Sequence, residues 1–163
     1  THSVIRHIPN RDLFMENTLS LKTGMVIEPI ELRQRLVHSG YQMIQRVDEP
    51  FYYSKRGGVI DVYSIQYDNP IRIEFFDDEI ESLRFFDKNT QRSLEKVQEV
   101  TILPATDLLY REEEIPEAIK VIETLKDKTE CEEYKENLEE EISIDIEALK
   151  GHDYSTRLYQ KRY

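Results

Sequence analysis

The chain has 163 residues, with 22 Lys and Arg against 33 Asp and Glu, and a formal net charge of −11. This length suits one domain, or one domain with part of a neighbour. With 39% hydrophobic residues and no apolar run near eighteen residues, the composition predicts a folded core and excludes a membrane-spanning helix. Net acidity opposes DNA binding by this chain alone, because phosphate contacts need clustered Lys and Arg.

The start of the chain predicts a short terminal segment and then one helix. Residues 1–18 hold two short amphipathic pieces that do not close a unit, so we interpret them as the tail of an upstream domain. A helix is predicted from Pro29 to Ser39, with proline in its first turn and Gly40 as its C-terminal stop. Its apolar positions are expected to pack on a sheet: Ile30, Leu32, Leu36 and Val37.

The middle of the chain predicts an antiparallel meander. Five β-rich runs follow one another, at Phe51–Lys55, Val59–Ser64, Ile71–Phe76, Glu79–Phe86 and Val97–Leu103. The short turn-forming stretches between them favour antiparallel pairing over crossover connections. Alternation in the third run places Arg72, Glu74 and Phe76 on the face opposite its isoleucines.

The C-terminal third predicts an acidic helical part. Between Arg111 and Lys150, fifteen acidic residues face six basic ones, a balance of −9. Apolar residues at helical spacing predict two amphipathic helices, near residues 113–127 and 130–150, with Gly151 as the stop. The predicted fold class is therefore α+β: a curved antiparallel sheet with a packed helix, followed by an α-helical segment.

The sequence lacks the motifs of a nucleotide-dependent or metal-dependent enzyme. Its five glycines never fall in a G-x-x-x-x-G-K-[ST] or G-x-G-x-x-G spacing, and its four histidines are scattered. Asp77-Asp78-Glu79 could suggest a divalent-metal site, but three successive residues in a hairpin turn cannot all point at one ion. The preference of aspartate for turns explains them. The single cysteine, Cys131, excludes an internal disulfide and fits a reducing, cytoplasmic compartment. We expect no catalytic, cofactor or metal site in this segment.

Three strings in the β-rich part carry a specific resemblance. They are Arg56-Gly-Gly-Val-Ile-Asp-Val-Tyr63, then Pro70-Ile-Arg-Ile-Glu-Phe-Phe-Asp-Asp-Glu-Ile-Glu-Ser-Leu-Arg-Phe-Phe-Asp87, and Thr90-Gln-Arg-Ser93. Together they resemble the UvrB-homology region of the Mfd family, the bacterial transcription-repair coupling factors. UvrB shares the strand pattern, but its matching segment lacks the Thr-Gln-Arg-Ser string, which favours the coupling factors. A fragment of UvrB is the alternative.

The resemblance implies a place in a large ATP-driven DNA translocase that displaces stalled RNA polymerase and recruits UvrA for nucleotide excision repair. Residues 19–106 would form the UvrA-binding (UvrB interaction) domain. Residues 1–18 and 107–163 would be two parts of a flanking, degenerate helicase-like domain. RNA polymerase, duplex DNA, ATP and Mg would be bound by other parts of that bacterial cytoplasmic protein, and no direct nucleic-acid contact is expected here.

The resemblance also implies a UvrA-binding site on the exposed sheet face. Matched residue by residue, Arg56 corresponds to the arginine before the glycine pair, and Arg72 and Glu74 correspond to the Arg-x-Glu strand. Phe76 and Phe86 interleave with these charges and are candidate exposed aromatic anchors, although either could equally belong to the core. Phe76 is included in the expected site.

Two further arginines of UvrB-like sequences are replaced in this chain, by Ser54 and Met43. Lys55 and Arg46 are candidates to supply the lost charge, although lysine does not reproduce the bidentate arginine fork.

Without the resemblance, Arg72 and Glu74 predict only surface ion pairs, with Asp61 or Glu81 across the sheet, worth under about 1 kcal/mol. On the docking interpretation, Arg72→Ala is expected to weaken UvrA binding by about 2 kcal/mol with little loss of folding stability, because an exposed charge contributes under about 1 kcal/mol to folding. Two functions of other classes also stay open: a structural spacer in a DNA translocase, and a segment that contacts DNA or belongs to an active site.

Overall fold

The structure is a computed structural model of the chain. It describes residues 10–106 and positions 109, 111–114, 116, 117, 120, 143, 144 and 147. The chain forms two compact units, Thr1–Leu109 and Tyr110–Tyr163.

In its described residues, the first unit contains two helices and eight strands. The helices are α1 (Arg11–Glu16) and α2 (Pro29–His38). The strands are β1 (Leu19–Lys22), β2 (Gln42–Met43), β3 (Tyr52–Arg56), β4 (Val59–Val62), β5 (Ile71–Phe76), β6 (Glu79–Phe86), β7 (Ser93–Val97) and β8 (Glu99–Ile102).

Six of these strands form one sheet in the order β2-β3-β4-β5-β6-β7, and β1 pairs with β8 in a separate two-stranded sheet. Every pair of neighbouring strands is antiparallel except β2 and β3, which run parallel. The predicted α+β class, with a mostly antiparallel sheet and few helices, is confirmed.

The structure corrects the predicted end of the meander. The run Val97–Leu103 does not continue the sheet, because β7 completes it and β8 leaves to pair with β1. Strands β1, β2 and β7 are not predicted from the sequence. Strand β2 has only two residues, and β7 has exposed side chains at its first four positions, so neither shows a clear alternation. Strand β1 does alternate between buried leucines and exposed polar residues, but over four residues only.

Helix α2 begins at Pro29, as predicted, and ends one residue before the predicted Ser39, which acts as its C-cap. Gly40 follows with φ +88°, a left-handed conformation that glycine adopts without steric cost. The chain can therefore turn sharply out of the helix toward β2.

The buried face of α2 carries Leu32 and Leu36, which lie about one turn apart and are fully buried. Val37 is partly buried against the same core. Ile30 is exposed, contrary to the prediction. Two residues along a helix turn by about 200°, so Ile30 lies opposite Leu32.

The main core lies between one face of the six-stranded sheet, α2 and the β1–β8 pair. Its fully buried side chains include Leu21, Leu32, Leu36, Ile60, Ile71, Ile73, Ile80, Leu83 and Ile102. Tyr41 belongs to the same core, and its hydroxyl donates to the carbonyl oxygen of Leu103 at 2.7 Å. Burial raises the pKa of Tyr41 from its ordinary value of 10.0 to about 12, because the surrounding core disfavours the charged phenolate.

A second, smaller core of Val47, Tyr63 and Phe86 lies on the other face of the sheet. Phe86 projects there because the preceding residue, Phe85, packs against the main core. The loop of residues 44–50 covers this end of the face. The backbone of this loop is held by the turn between β6 and β7, since Gln91 Nε2 donates to the carbonyl oxygen of Val47 at 3.2 Å.

The turn between β6 and β7 is built around the Asp87 carboxylate. Oδ1 of Asp87 accepts from the backbone N and the hydroxyl of Thr90, at 2.6 and 2.8 Å, and from the backbone N of Asn89 at 3.1 Å. Gln91 follows at φ +63°. The Thr-Gln-Arg-Ser string that carries part of the resemblance thus builds this turn.

These bonds lower the pKa of Asp87, chiefly through the backbone N–H of Thr90 and then through its hydroxyl. We expect the Asp87 carboxyl to titrate below its ordinary value of 3.8. Its contribution to stability is then fully present above the unfolded-state pKa and is lost as the pH falls through the lower folded-state pKa. An NMR titration of the carboxyl carbon measures the midpoint.

The matched variant for this titration is Thr90→Val, which keeps the backbone donor but removes the hydroxyl. Its Asp87 midpoint is expected to rise toward the ordinary value. A wild-type midpoint at or above 3.8, or no change in the variant, would contradict this role of the turn.

In the second unit, residues Glu112–Glu114 form a 3-10 turn, and Pro116, Glu117, Lys120, Ser143, Ile144 and Glu147 are helical. Most of the two predicted acidic helices, near 113–127 and 130–150, lies outside the described residues, as do residues 1–9 of the predicted N-terminal tail. Of the helices in the described part of the chain, none has the length and apolar character needed to cross a membrane.

Candidate partner-binding face

We call the face of the six-stranded sheet opposite the main core the outer face. Directly paired residues of neighbouring strands project to the same face, so the pairing defines three rows across it. The first row is Ser54, Asp61, Arg72, Arg84 and Lys96; the second is Arg56, Val59, Glu74 and Ser82; the third is Phe76, Glu79 and Val26. All four predicted site residues lie on this face.

A β-bulge in β6 sets the alignment of these rows. The two-residue turn at Asp77-Asp78 by itself would place Glu74 opposite Glu81. The register shifts between Glu74 and Phe75, so Glu74 lies opposite Ser82 instead. The same shift places Arg84 directly opposite Arg72.

Arg72 is held by the carboxylate of Asp61 on the neighbouring strand. Its Nε and Nη2 donate to the two carboxylate oxygens, both at 2.8 Å, in a bidentate pair. The guanidinium also lies over the ring of Phe86, 4.5 Å from its centre. The hydrogen bonds to Asp61 raise the pKa of Arg72 further above its ordinary value, with partial burial opposing them.

The pair is partly buried, and this changes the expected effect of removing Arg72. The Arg72 side chain is 21% exposed and that of Asp61 only 5%. The ion pair with Asp61 is thus present, but it is partly buried and not fully on the solvent side as predicted. We therefore expect Arg72→Ala to lower folding stability, because Asp61 would be left buried without its partner.

Glu74 is held in a similar way by the next strand. Its Oε2 accepts from the hydroxyl of Ser82 and from Nη2 of Arg84, both at 2.5 Å. Arg72 and Arg84 are like charges on directly paired residues, which repel. Asp61 and Glu74 each neutralise one of them.

Ser82 and Arg84 are not among the predicted site residues. Alternation along β6 places both on the face of Phe86, which is the available sequence signal. Their alignment with Glu74 depends on the bulge, which leaves no comparable signal in the sequence.

Arg56 is exposed at the end of β3. In the described part of the chain, Arg56 makes no ion pair, in contrast to Arg72 and Arg84. Its Nη2 donates to the carbonyl oxygen of Gln45. Its positive charge is therefore presented to solvent at the edge of the outer face.

Phe76 and Phe86 differ completely in their surroundings. Phe76 is 70% exposed at the end of β5, whereas Phe86 is fully buried in the second core. Phe86 is therefore a core residue, whereas Phe76 is an exposed aromatic residue of the outer face.

Lys55 and Arg46, the candidate substitutes for the missing arginines, do not offer a free positive charge on the outer face. Lys55 pairs with Ile60, a main-core residue, and therefore projects to the opposite side of the sheet. Arg46 donates to the carbonyl oxygen of Asn89 at 2.6 Å and so fastens the 44–50 loop to the β6–β7 turn. Ser54 is buried beside Asp61, and Met43 is exposed on the short edge strand β2.

Acidic side chains of the described part of the chain do not gather into a metal site. Across the described positions, no group of three or more His, Cys, Asp or Glu residues lies close enough to hold a metal ion. What the outer face offers chemically is an exposed cation, an exposed aromatic ring and a carboxylate held in place by neighbouring side chains.

Comparisons with known proteins relate the β-rich part to one family. Residues 19–108 match the family model of the UvrB interaction domain. The chain is 37% identical over 152 residues to the transcription-repair-coupling factor of Bacillus subtilis, a match covering 90% of this chain and 13% of that protein. It is 38% identical over 128 residues to the protein of that name from Myxococcus xanthus, covering 78% and 10%.

A third relative is the transcription-repair-coupling factor of Escherichia coli, 39% identical over 89 residues, or 55% of this chain and 8% of that protein. The chain thus corresponds to about a tenth of the length of these curated relatives.

Proposed function

Because the chain belongs to the UvrB interaction domain family and resembles a short segment of transcription-repair-coupling factors, we propose that it is the module through which such a factor recruits UvrA. The family predicted from the strings of residues 56–93 is confirmed. The proposal concerns the partner and the surface that binds it.

The observation that carries the proposal is the composition of the outer face. Arg56 and Phe76 are both exposed, and they lie in adjacent rows on β3 and β5, with their Cα atoms about 12 Å apart. Arginine and aromatic residues, phenylalanine among them, are enriched at protein–protein interfaces relative to the rest of the surface.

The four predicted residues then have different roles in docking. Arg56 offers its guanidinium fork to a carboxylate of UvrA, and Phe76 inserts its ring into an apolar pocket of the partner. Glu74 accepts from a basic group of UvrA while Arg84 keeps it in place. Arg72 mainly stabilises the face, because its fork is already bound to Asp61.

The other activities of the coupling factor are proposed to lie elsewhere in the longer protein. These are ATP hydrolysis with Mg, translocation on duplex DNA and contact with stalled RNA polymerase. The present segment is proposed to act without catalysis or a cofactor, as a recruitment domain of residues 19–106 in the bacterial cytoplasm.

The test is a calorimetric titration of UvrA with the 163-residue chain and its Arg56→Ala variant. We expect the variant to bind about thirtyfold more weakly, a loss of about 2 kcal/mol. Its thermal melt is expected to match that of the wild type, because an exposed side chain contributes within about 0.5 kcal/mol to folding.

The matched control is Arg35→Ala, which removes an exposed arginine of α2, on the side of the sheet away from the outer face. Its affinity is expected to equal that of the wild type. If the wild-type chain does not bind UvrA, the spacer function replaces the proposal, and equal affinities for both variants would remove Arg56 from the site.

A further inference from the structure

Two exposed apolar side chains stand at the end of the outer face, on either side of Glu79. Phe76 is directly paired with Glu79 on one side, and Val26 is paired with the same residue on the other. The three side chains therefore project to the same face. Val26 and Phe76 are 67% and 70% exposed.

The backbone fixes Val26 in this position although its segment is too short to count as a strand. Ile80 accepts from the N–H of Gly24 at 2.8 Å and donates to the carbonyl oxygen of Met25 at 2.9 Å, and Ile27 donates to the carbonyl oxygen of Asp78 at 2.8 Å. Met25 and Ile27 on either side pack against the main core. Because side chains alternate along an extended chain, Val26 projects to the outer face, as a residue of an added strand would.

Single exposed hydrophobic residues are common on protein surfaces, but these two form a pair. Their Cα atoms lie about 10 Å apart across two strand spacings, with Glu79 directly paired with both and projecting between them. Both belong to backbone held by the β5–β6 hairpin, so little conformational entropy is lost when a partner covers them.

We propose that Val26 and Phe76 form a two-sided apolar clamp that extends the UvrA-binding surface beyond Phe76. The clamp receives one aliphatic or aromatic side chain of UvrA, and Glu79 at its base pairs with a neighbouring Lys or Arg of UvrA. This inference depends on the proposed function for the partner, while the position of Val26 follows from the sheet pairing alone.

The test titrates UvrA with Val26→Ala and Val26→Thr, the second of which keeps the branched shape and exchanges a methyl for a hydroxyl. We expect binding weaker by about tenfold for alanine and about fivefold for threonine, with unchanged thermal melts. Combining Val26→Ala with Phe76→Ala is expected to cost less than the two single losses together, because both side chains contact the same group of the partner.

The matched control is Leu94→Ala. Leu94 is also an exposed aliphatic residue, but it lies beside Phe85, whose side chain packs against the main core on the opposite face. Its removal is expected to leave affinity unchanged.

The outcomes separate this inference from the proposed function. Wild-type affinity in both Val26 variants, with weakened binding by Phe76→Ala or Arg56→Ala, overturns the clamp and leaves UvrA recruitment standing. Absence of binding by the wild-type chain overturns recruitment itself. If Val26→Ala melts early, Val26→Thr decides the matter, since it preserves the β-branched side chain.

Discussion

Replacing Gly40 by alanine is expected to lower the free energy of unfolding of the first unit by about 3 kcal/mol, from left-handed backbone strain and overpacking together. Gly40 has φ +88°, and an alanine Cβ there would lie 2.8 Å from both Cβ and Cγ2 of Thr106. Thr106 is itself buried and cannot move into open solvent. Urea unfolding followed by backbone amide NMR signals of residues 29–102 measures the change.

Gly57 provides the matched control for this substitution. It also has a positive φ, +57°, but a Cβ at this position would meet no atom within 4 Å. Gly57→Ala is therefore expected to lower the free energy of unfolding only through left-handed backbone strain, by about 1 kcal/mol. Adding Thr106→Gly to Gly40→Ala should restore part of the lost stability. Equal losses at Gly40 and Gly57 would show that contact with Thr106 is unimportant.

Replacing Arg72 by alanine is expected to cost about 2 to 3 kcal/mol of folding stability, because it leaves the Asp61 carboxylate buried without its bidentate partner. Loss of the guanidinium over the Phe86 ring contributes to the same change. This variant is therefore a poor isolated test of UvrA binding, and Arg56→Ala is the better one.

A double-mutant cycle separates the ion pair from the other contacts of Arg72. Arg72→Ala, Asp61→Asn and the combined variant are unfolded in urea, and a coupling energy of about 2 kcal/mol is expected for this partly buried pair. The exposed pair Lys22–Glu99, 3.0 Å long with both side chains about two-thirds exposed, is the control. Lys22→Ala should cost within about 0.5 kcal/mol. A coupling energy near zero would show that Arg72 and Asp61 contribute no more to folding than an exposed surface ion pair.

Local chemistry in the sequence predicts most of the individual elements. Pro29 and Gly40 mark the ends of α2 because proline suits the first turn of a helix and glycine accepts the left-handed exit. Strand β5 is predicted with its observed ends, and so is β6, because turn residues flank both. The strings of residues 56–93 also identify the family, since they combine these turns with a fixed order of side chains.

The tertiary structure alone decides where strand ends are paired and which residues meet. Strand β8 pairs with β1, about eighty positions earlier in the chain, and neither strand carries a local mark of its partner. Phe76 and Phe86 both end a strand, yet only Phe86 is covered, because the 44–50 loop reaches one end of the outer face and not the other.

For the candidate site, the sequence by itself determined that Arg72, Glu74 and Phe76 share a face, because side chains alternate along a strand. Arg56 joins them through the resemblance to the family. The sequence did not determine their partners. One extra residue in β6 shifts the alignment, so that Glu74 meets Ser82 and Arg84 rather than Glu81. A bulge of this kind depends on the packing of the whole sheet, and only the folded chain shows which arginine is held and which remains exposed for a partner.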